Sequence, residues 1–154
     1  MKNEYGRSMI EMLGVLAIIG VLSIGGLAGY TMAMNRHRAN TVLDYATKCG
    51  VMVQTQGQGT EAVGTIACNT NTYMGANTLP NTVASINAAR AQNGHTNVEI
   101  VFAAADANGG VSSALANRVG LAAPAATYCF DIDEGVAANA WTAAACANPA
   151  VGNP

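Results

Sequence analysis

The sequence has little charge, and this scarcity excludes one large class of function. Asp, Glu, Lys and Arg together make up 10% of the 154 residues, and the formal net charge is −2. A protein that binds nucleic acid needs a basic surface, since each neutralised phosphate requires a cationic side chain. We therefore expect no nucleic-acid partner.

Histidines and closely spaced cysteines are scarce as well. The chain has two histidines, His37 and His95, and its four cysteines form no C-x-x-C pair. Zinc sites need ligands at such short spacings, and acid–base or nucleophilic catalysis needs a constellation of reactive side chains. The sequence therefore indicates no metal site, no cofactor and no enzymatic activity.

Proline is absent from residues 8–56, and a long hydrophobic run occupies part of this stretch. Residues 12–30, MLGVLAIIGVLSIGGLAGY, contain no charged side chain. As an α-helix this run covers roughly 28 Å, close to the thickness of bilayer hydrocarbon. Three interpretations fit: a permanent membrane anchor, an ordinary cleaved signal peptide with Ala28 or Ala33 at its cleavage site, and a segment that leaves the membrane for a protein core.

An acidic residue at the start of the run weighs against an ordinary signal peptide. Such peptides have a shorter apolar region behind a basic flank, whereas here Glu11 follows Met9 and Ile10. An unpaired carboxylate in hydrocarbon costs several kcal/mol, so Glu11 must reach the interface, become protonated or bind a cation. The alternative is a solvated residue beside a plain anchor helix, because charges commonly flank membrane spans.

Residues 6–13, GRSMIEML, resemble the processing site of the type IV pilins. That site has a short hydrophilic leader ending in glycine, followed by a hydrophobic helix with glutamate at its fifth position. The resemblance implies that a prepilin peptidase cleaves between Gly6 and Arg7, and that Glu11 pairs with the freed amino terminus of a neighbouring subunit. It covers the first third of the chain, and beyond this the similarity is architectural.

The first mature residue departs from the family pattern. Type IV pilins usually have an apolar residue there, and this chain has Arg7. Arg7 and Glu11 are four residues apart and would face each other on a helix, so that an intrachain ion pair would compete with the pairing between subunits. Alternatively, the Arg7 guanidinium reaches lipid phosphates before assembly.

Apolar residues continue at helical spacing after Tyr30, but on one face only. These positions are Ala39, Val42, Leu43, Ala46, Cys49, Gly50 and Val53. We predict a single helix that runs through both segments and ends near the QGQG sequence at 56–59. The expected organisation is a leader at 1–6, a membrane or filament-core helix at 7–30, its amphipathic continuation at 31–56 and a globular head at 57–154.

The head shows mixed secondary-structure signals. We predict a loop at 57–79, a short helix at 80–93 and strands at 98–102 and 127–132, whereas 111–120 is ambiguous and is left unassigned. The expected fold class is α+β. A long N-terminal α-helix, hydrophobic in its first half and amphipathic in its second, would pack on a small antiparallel β-sheet head with disulfides.

An even number of cysteines in a chain with an export signal indicates disulfides and an oxidising compartment. Four cysteines allow three connectivities, and we favour Cys49 with Cys68 and Cys129 with Cys146 because both pairs close short loops. The second pair also matches the place where pilin heads often carry a disulfide that encloses a surface loop used in subunit packing or adhesion.

Two further features of the head have ordinary structural explanations. Asp131, Asp133 and Glu134 are acids of the kind that bind calcium, but no twelve-residue calcium loop follows them, which favours a solvated loop. Trp141 is expected to anchor the C-terminal loop in the core rather than to bind a ligand.

The resemblance implies a structural subunit of a type IV pilus or pilus-like filament. The precursor would lie in the bacterial inner membrane, and pilus assembly machinery would lift it into an extracellular helical homopolymer of identical subunits. A methylated amino terminus is also implied, and roles in adhesion, motility, DNA uptake or secretion are equally compatible. The alternatives are a minor pilin or type II secretion pseudopilin and, from another class, a membrane-anchored or secreted monomeric binding domain.

Overall fold

The computed structural model describes residues 4–56, 63–68, 79–90, 94–132 and 140–146, and the side chains of 4–8 lie outside this description. The chain divides into two units, Met1–Met34 and Asn35–Pro154, and each is described by itself. The elements, in chain order, are α1 (Glu4–Gln56), β1 (Val63–Ala67), β2 (Val83–Arg90), β3 (Thr96–Phe102), a short 3-10 helix (Ala104–Asp106), α2 (Gly110–Val119), β4 (Thr127–Ile132) and β5 (Ala140–Thr142).

The first unit consists of the N-terminal part of α1. Its large apolar side chains, from Met9 to Met32, are 53% to 75% exposed. Because the apolar residues occupy every side of the helix, no polar face is left to contact water. The predicted helix end is confirmed, since α1 ends at Gln56.

The second unit contains an antiparallel sheet in which each strand pairs with its neighbours in sequence. The order is β1-β2-β3-β4-β5. The register places Ile86, Ile100 and Tyr128 side by side on the three central strands. Buried and partly buried residues alternate along β3, so the sheet has one core face and one outer face.

The core forms where the second part of α1 packs on the sheet. Val42, Cys49 and Val53 are fully buried in the same cluster as Val98 and Ile100. This confirms the amphipathic face predicted for the helix. At Gly50 the helix lies so close to the sheet that a Cβ would come within 3.1 Å of Val98 and 3.2 Å of Ile132.

Helix α2 forms in the segment that the sequence left unassigned. It buries Val111, Leu115 and Ala116 in the same core. The helix ends at Gly120, whose φ of +78° is a left-handed conformation that glycine adopts without steric cost. A helix this short depends on packing against its neighbours, which the sequence alone does not show.

One prediction for the head is wrong and another is wrong in part. Residues 80–93 were expected to form a helix, but Val83–Arg90 is strand β2. It pairs with β3 from Val83 to Arg90, and Ile86, Ala88 and Arg90 are buried with the two-residue period of a strand, although Ala89 between them is buried too. The predicted loop at 57–79 also contains strand β1, Val63–Ala67.

The predicted fold class and two predicted strands are confirmed. Strands β3 and β4 lie where the sequence placed them, and the fold class is α+β with a long N-terminal helix, a small antiparallel sheet and two disulfides. Trp141 packs against the core, and its ring stacks on Phe130 with the ring centroids 4.7 Å apart.

Candidate functional site

The first candidate is the apolar segment, by which we mean residues 9–32 of α1. The helix is long and apolar enough to cross a membrane, with a mean hydropathy of 2.2 over its most apolar 18 residues, none of them buried. Leaving a large aliphatic side chain in water rather than burying it costs about 1.5–3 kcal/mol. The exposed side chains therefore need an apolar environment, which lipid or other helices would provide.

The hydroxyl groups of Ser23 and Thr31, both within the apolar segment, are satisfied by the helix itself. Ser23 Oγ donates a hydrogen bond to the carbonyl of Ile19 at 2.7 Å, and Thr31 Oγ1 donates one to the carbonyl of Ala28 at 2.9 Å. Donors that return to the helix backbone in this way do not require water. These two side chains are therefore compatible with an apolar surrounding.

Glu11 lies near the start of the apolar segment. Its side chain is exposed and lies between Ile10 and Met12, which are 73% and 63% exposed. Gly6 and Arg7 belong to the helical backbone of α1, but the Arg7 side chain is outside the described residues. The two alternatives for the Arg7 guanidinium therefore stay predictions.

The second candidate is the loop closed by a disulfide at the C-terminal end of the head. Cys129 in β4 is bonded to Cys146, at a sequence separation of 17. The other disulfide joins Cys49 of α1 to Cys68, which follows β1, and both of these cysteines are fully buried. These two pairings are the connectivity favoured from the sequence.

A glutamate that the sequence analysis did not single out holds one end of this loop. Glu99 lies opposite Cys129 on the outer face of the sheet. Its Oε2 accepts a hydrogen bond from the backbone N–H of Cys146 at 3.1 Å, and its Oε1 accepts one from Asn87 Nδ2 at 3.5 Å. The available signal was an acid at an outward position of a strand, which is too common to identify such a role.

The same residues border a shallow cavity of about 240 Å³ on the outer face. Its polar lining consists of Thr65, Asn87, Asn97 and Glu99. No cation lies among these lining residues, and the carboxylate is already engaged by Cys146 and Asn87. The hydrogen bonds of Glu99 at this cavity are thus with the end of the disulfide-closed loop and with β2.

The acidic residues near the end of β4 do not form a metal site within the described part of the chain. Asp131 Oδ1 lies 3.8 Å from His95 Nδ1. Asp133 and Glu134 are outside the described residues. Among the described residues, no group of three His, Cys, Asp or Glu side chains is placed to hold a metal ion.

Comparison of the chain with protein-family models, with curated proteins and with solved structures found no match. The function must therefore be inferred from the arrangement of the residues themselves. That arrangement combines an exposed apolar helix surface, which favours association with lipid or other helices, with a head that is cross-linked twice.

Proposed function

We propose that the chain is a structural subunit of a type IV pilus or pilus-like extracellular filament, assembled through α1 after its leader is removed. The observation that carries this proposal is the apolar segment, whose large side chains are exposed on every side of the helix. A helix that is apolar all round is stable only inside a membrane or a protein core. A subunit that moves from the membrane into a filament uses both environments in turn.

Glu11 would supply the specificity of assembly. A carboxylate surrounded by apolar side chains needs a cation, and the freed amino terminus of a neighbouring subunit would provide one. Pairing of these two charges would fix the axial position of one helix against the next, because opposite charges attract most strongly at short distance in an apolar surrounding. The position of Glu11 near the start of the apolar segment fits this role.

The head supports the proposal through its cross-links and its low charge. Two disulfides suit a protein that folds in an oxidising compartment and then remains outside the cell. From residue 51 onward the sequence holds two arginines and six acids. Subunits with so few charges can repeat at high density with little electrostatic repulsion.

The mass of the exported protein tests the proposal directly. Removal of the first six residues would agree with cleavage after Gly6 by a prepilin peptidase, and an added methyl group would agree with the modification found in the family. Loss of about thirty residues would instead indicate an ordinary signal peptide. A chain that keeps all 154 residues would indicate a permanent anchor, and either result would overturn the proposal.

A pair of glycine variants makes this test more specific. Gly6→Leu should abolish the removal of the leader and leave the protein in the membrane, because the peptidase would no longer find glycine before the cleaved bond. Gly14→Ala is the matched control, since a Cβ at Gly14 meets no atom within 4 Å. Cleavage of both variants at the normal rate would contradict processing at Gly6.

A minor pilin or secretion pseudopilin would give the same cleavage product. Electron microscopy of sheared surface material separates these possibilities from a major subunit. A filament composed mainly of this chain supports the major-subunit proposal. Its presence only as a trace component of a filament made of another protein would assign the chain to the minor subunits.

A further inference from the structure

The groove between α1 and α2 in the second unit carries a pair of cations that the proposed function does not use. Arg36 of α1 and Arg118 of α2 both line this groove, which has a volume of about 270 Å³. Ala39, Asn40, Ala114 and Asn117 complete its lining. Two guanidinium groups and two amide groups thus surround a space with small alanine side chains between them.

Neither arginine is neutralised within the described part of the chain. No acid lies three or four residues from Arg36 or from Arg118, and neither guanidinium forms an ion pair or hydrogen bond among the described residues. Lys48, another cation of α1, does form an ion pair, since its Nζ contacts Asp44 Oδ2 at 2.6 Å. The described residues that line the groove therefore include two cations and no carboxylate.

The helix dipole explains only one of the two arginines. Arg118 lies in the last turn of α2, where a cation interacts favourably with the free carbonyl groups. Arg36 lies in the interior of α1, twenty residues before its end, and has no such explanation. The placement of both side chains around one groove fits recognition of an anion.

We propose that this groove binds the phosphate group of an anionic phospholipid. Guanidinium groups suit this ligand because their planar N–H donors match phosphate oxygens in pairs, and the amide groups of Asn40 and Asn117 can donate further hydrogen bonds. A phosphate oxyanion would satisfy both charges at once. Neutral sugars or amides would leave both charges uncompensated.

The sequence position of Arg36 identifies the lipid as the source of the phosphate. Arg36 follows Tyr30, the end of the apolar run at 12–30, by six residues and is the first charged residue after Glu11. Six residues of α-helix rise roughly 9 Å, so Arg36 stays close to the headgroup layer while the apolar segment lies in a membrane. Cations in this position attract anionic lipids. The inference requires membrane insertion but does not depend on filament assembly.

The test uses the full chain in neutral, phosphate-free detergent micelles at fixed ionic strength. Phosphatidylglycerol is added, and the side-chain amide NMR signals of Asn40 and Asn117 report binding. The groove variant Arg36→Gln/Arg118→Gln is compared with a charge-matched control, Arg38→Gln/Lys48→Gln, whose positions are exposed and outside the groove lining. We expect saturable changes in chemical shift. The groove variant should lower the affinity for phosphatidylglycerol by at least about tenfold, since each cation near an anionic lipid contributes on the order of a fivefold change in affinity.

Three outcomes would overturn the proposal. Equal weakening in the groove variant and the charge-matched control would assign the effect to overall charge. An absence of saturable shifts in the unmodified chain would exclude the site. Displacement of the lipid by inorganic phosphate at the same concentration would assign the groove to free phosphate instead.

A second variant guards against loss of folding in the first. Asn40→Asp changes one exposed side chain of the groove lining and retains both arginines. The new carboxylate would neutralise one guanidinium and repel the phosphate. The affinity for the lipid should therefore again fall about tenfold. Both disulfides and the near-ultraviolet circular dichroism spectrum should remain as in the unmodified chain. Unchanged lipid affinity in this variant would contradict the proposal.

Discussion

Tyr128 is a buried residue of the head whose hydroxyl makes several polar contacts. Its side chain is fully buried, and its hydroxyl oxygen lies 2.9 Å from Ser112 Oγ. The hydroxyl also donates to the carbonyl of Ser112 and accepts from the backbone N–H of Ala125, both at 2.9 Å. One side chain of β4 thus fixes the start of α2 and the segment that leads back to the sheet.

We expect Tyr128→Phe to lower the free energy of unfolding by about 1–3 kcal/mol. The substitution keeps the aromatic ring, which packs edge-on against Phe102, and removes only the hydroxyl, so that buried polar groups lose a partner. Urea denaturation followed by circular dichroism measures the change.

Tyr45→Phe serves as a graded comparison for this variant. Tyr45 is also buried, but its hydroxyl makes one hydrogen bond, to the carbonyl of Cys68 at 3.0 Å. Its loss should cost about 0.5–1.5 kcal/mol, which is typical of a single hydrogen bond. A smaller effect for Tyr128→Phe than for Tyr45→Phe would contradict the importance of the Tyr128 contacts.

Among the elements, the two disulfides differ in how well the protein shields them. Cys49 and Cys68 are fully buried and join α1 to the end of β1. Cys129 and Cys146 join β4 to the C-terminal loop, and Cys146 is partly exposed. The first disulfide therefore lies in the core and the second lies at the surface.

We expect a thiol reductant to open the two disulfides in order, with Cys129–Cys146 reduced first. Thiolate attack requires access to a sulfur atom, and the outer pair offers it in the folded state. Alkylation of freed cysteines followed by peptide mass analysis gives the rate for each pair. Simultaneous reduction would indicate that both pairs open only through global unfolding.

Glu99 provides a variant specific to the outer disulfide. Glu99→Ala removes the acceptor for the Cys146 N–H and should accelerate reduction of Cys129–Cys146 severalfold without changing Cys49–Cys68. Asp44→Ala is the matched control, since it removes an exposed acid that contacts Lys48 and neither disulfide. Equal acceleration in both variants would argue against a specific role for Glu99.

Some secondary-structure elements have clear signals in the sequence and others do not. The long helix was predictable because a continuous apolar run is followed by apolar residues at helical spacing, with no proline to interrupt them. Strand β2 was not, because its alanines and its one asparagine carry weak strand signals and its conformation depends on pairing with β3. Strand β1 was missed for a similar reason, since glycine and threonine in Val63–Ala67 are typical of loops.

At the scale of the whole molecule, the sequence identified the residues proposed for assembly more readily than those that line the groove. Glu11 stands out as an acid beside a long apolar run, and Gly6 precedes it at a family-like spacing. Arg36 and Arg118 are 82 positions apart in sequence, and only folding places them around one groove. Residues that are far apart in sequence form no local motif, so a site built from them cannot be identified before the fold is known.

Assembly itself gives the last prediction. Glu11→Ala should leave the protein in the membrane, because it makes the apolar segment more hydrophobic, but should abolish filaments, because the neighbouring amino terminus loses its partner. Membrane fractionation and electron microscopy measure the two effects.

Two further variants test whether the charge of the Glu11 side chain, rather than its shape, is required. Glu11→Gln keeps the side-chain length and should fail in the same way, whereas Asp44→Asn alters an exposed acid further along α1 and should retain at least half of the normal filament yield. A normal yield for Glu11→Ala would rule out the charge pairing between subunits.

The bond between Cys49 and Cys68 has a mechanical consequence. It fastens α1 to the end of β1 inside the core, next to the last turns of the helix. Tension applied to the N-terminal end of α1 would otherwise peel these turns away from the sheet one contact at a time. With the disulfide in place, the force is transmitted through its two sulfur atoms to the end of β1. The last turns of α1 then separate from the sheet only if a covalent bond breaks or the sheet unfolds.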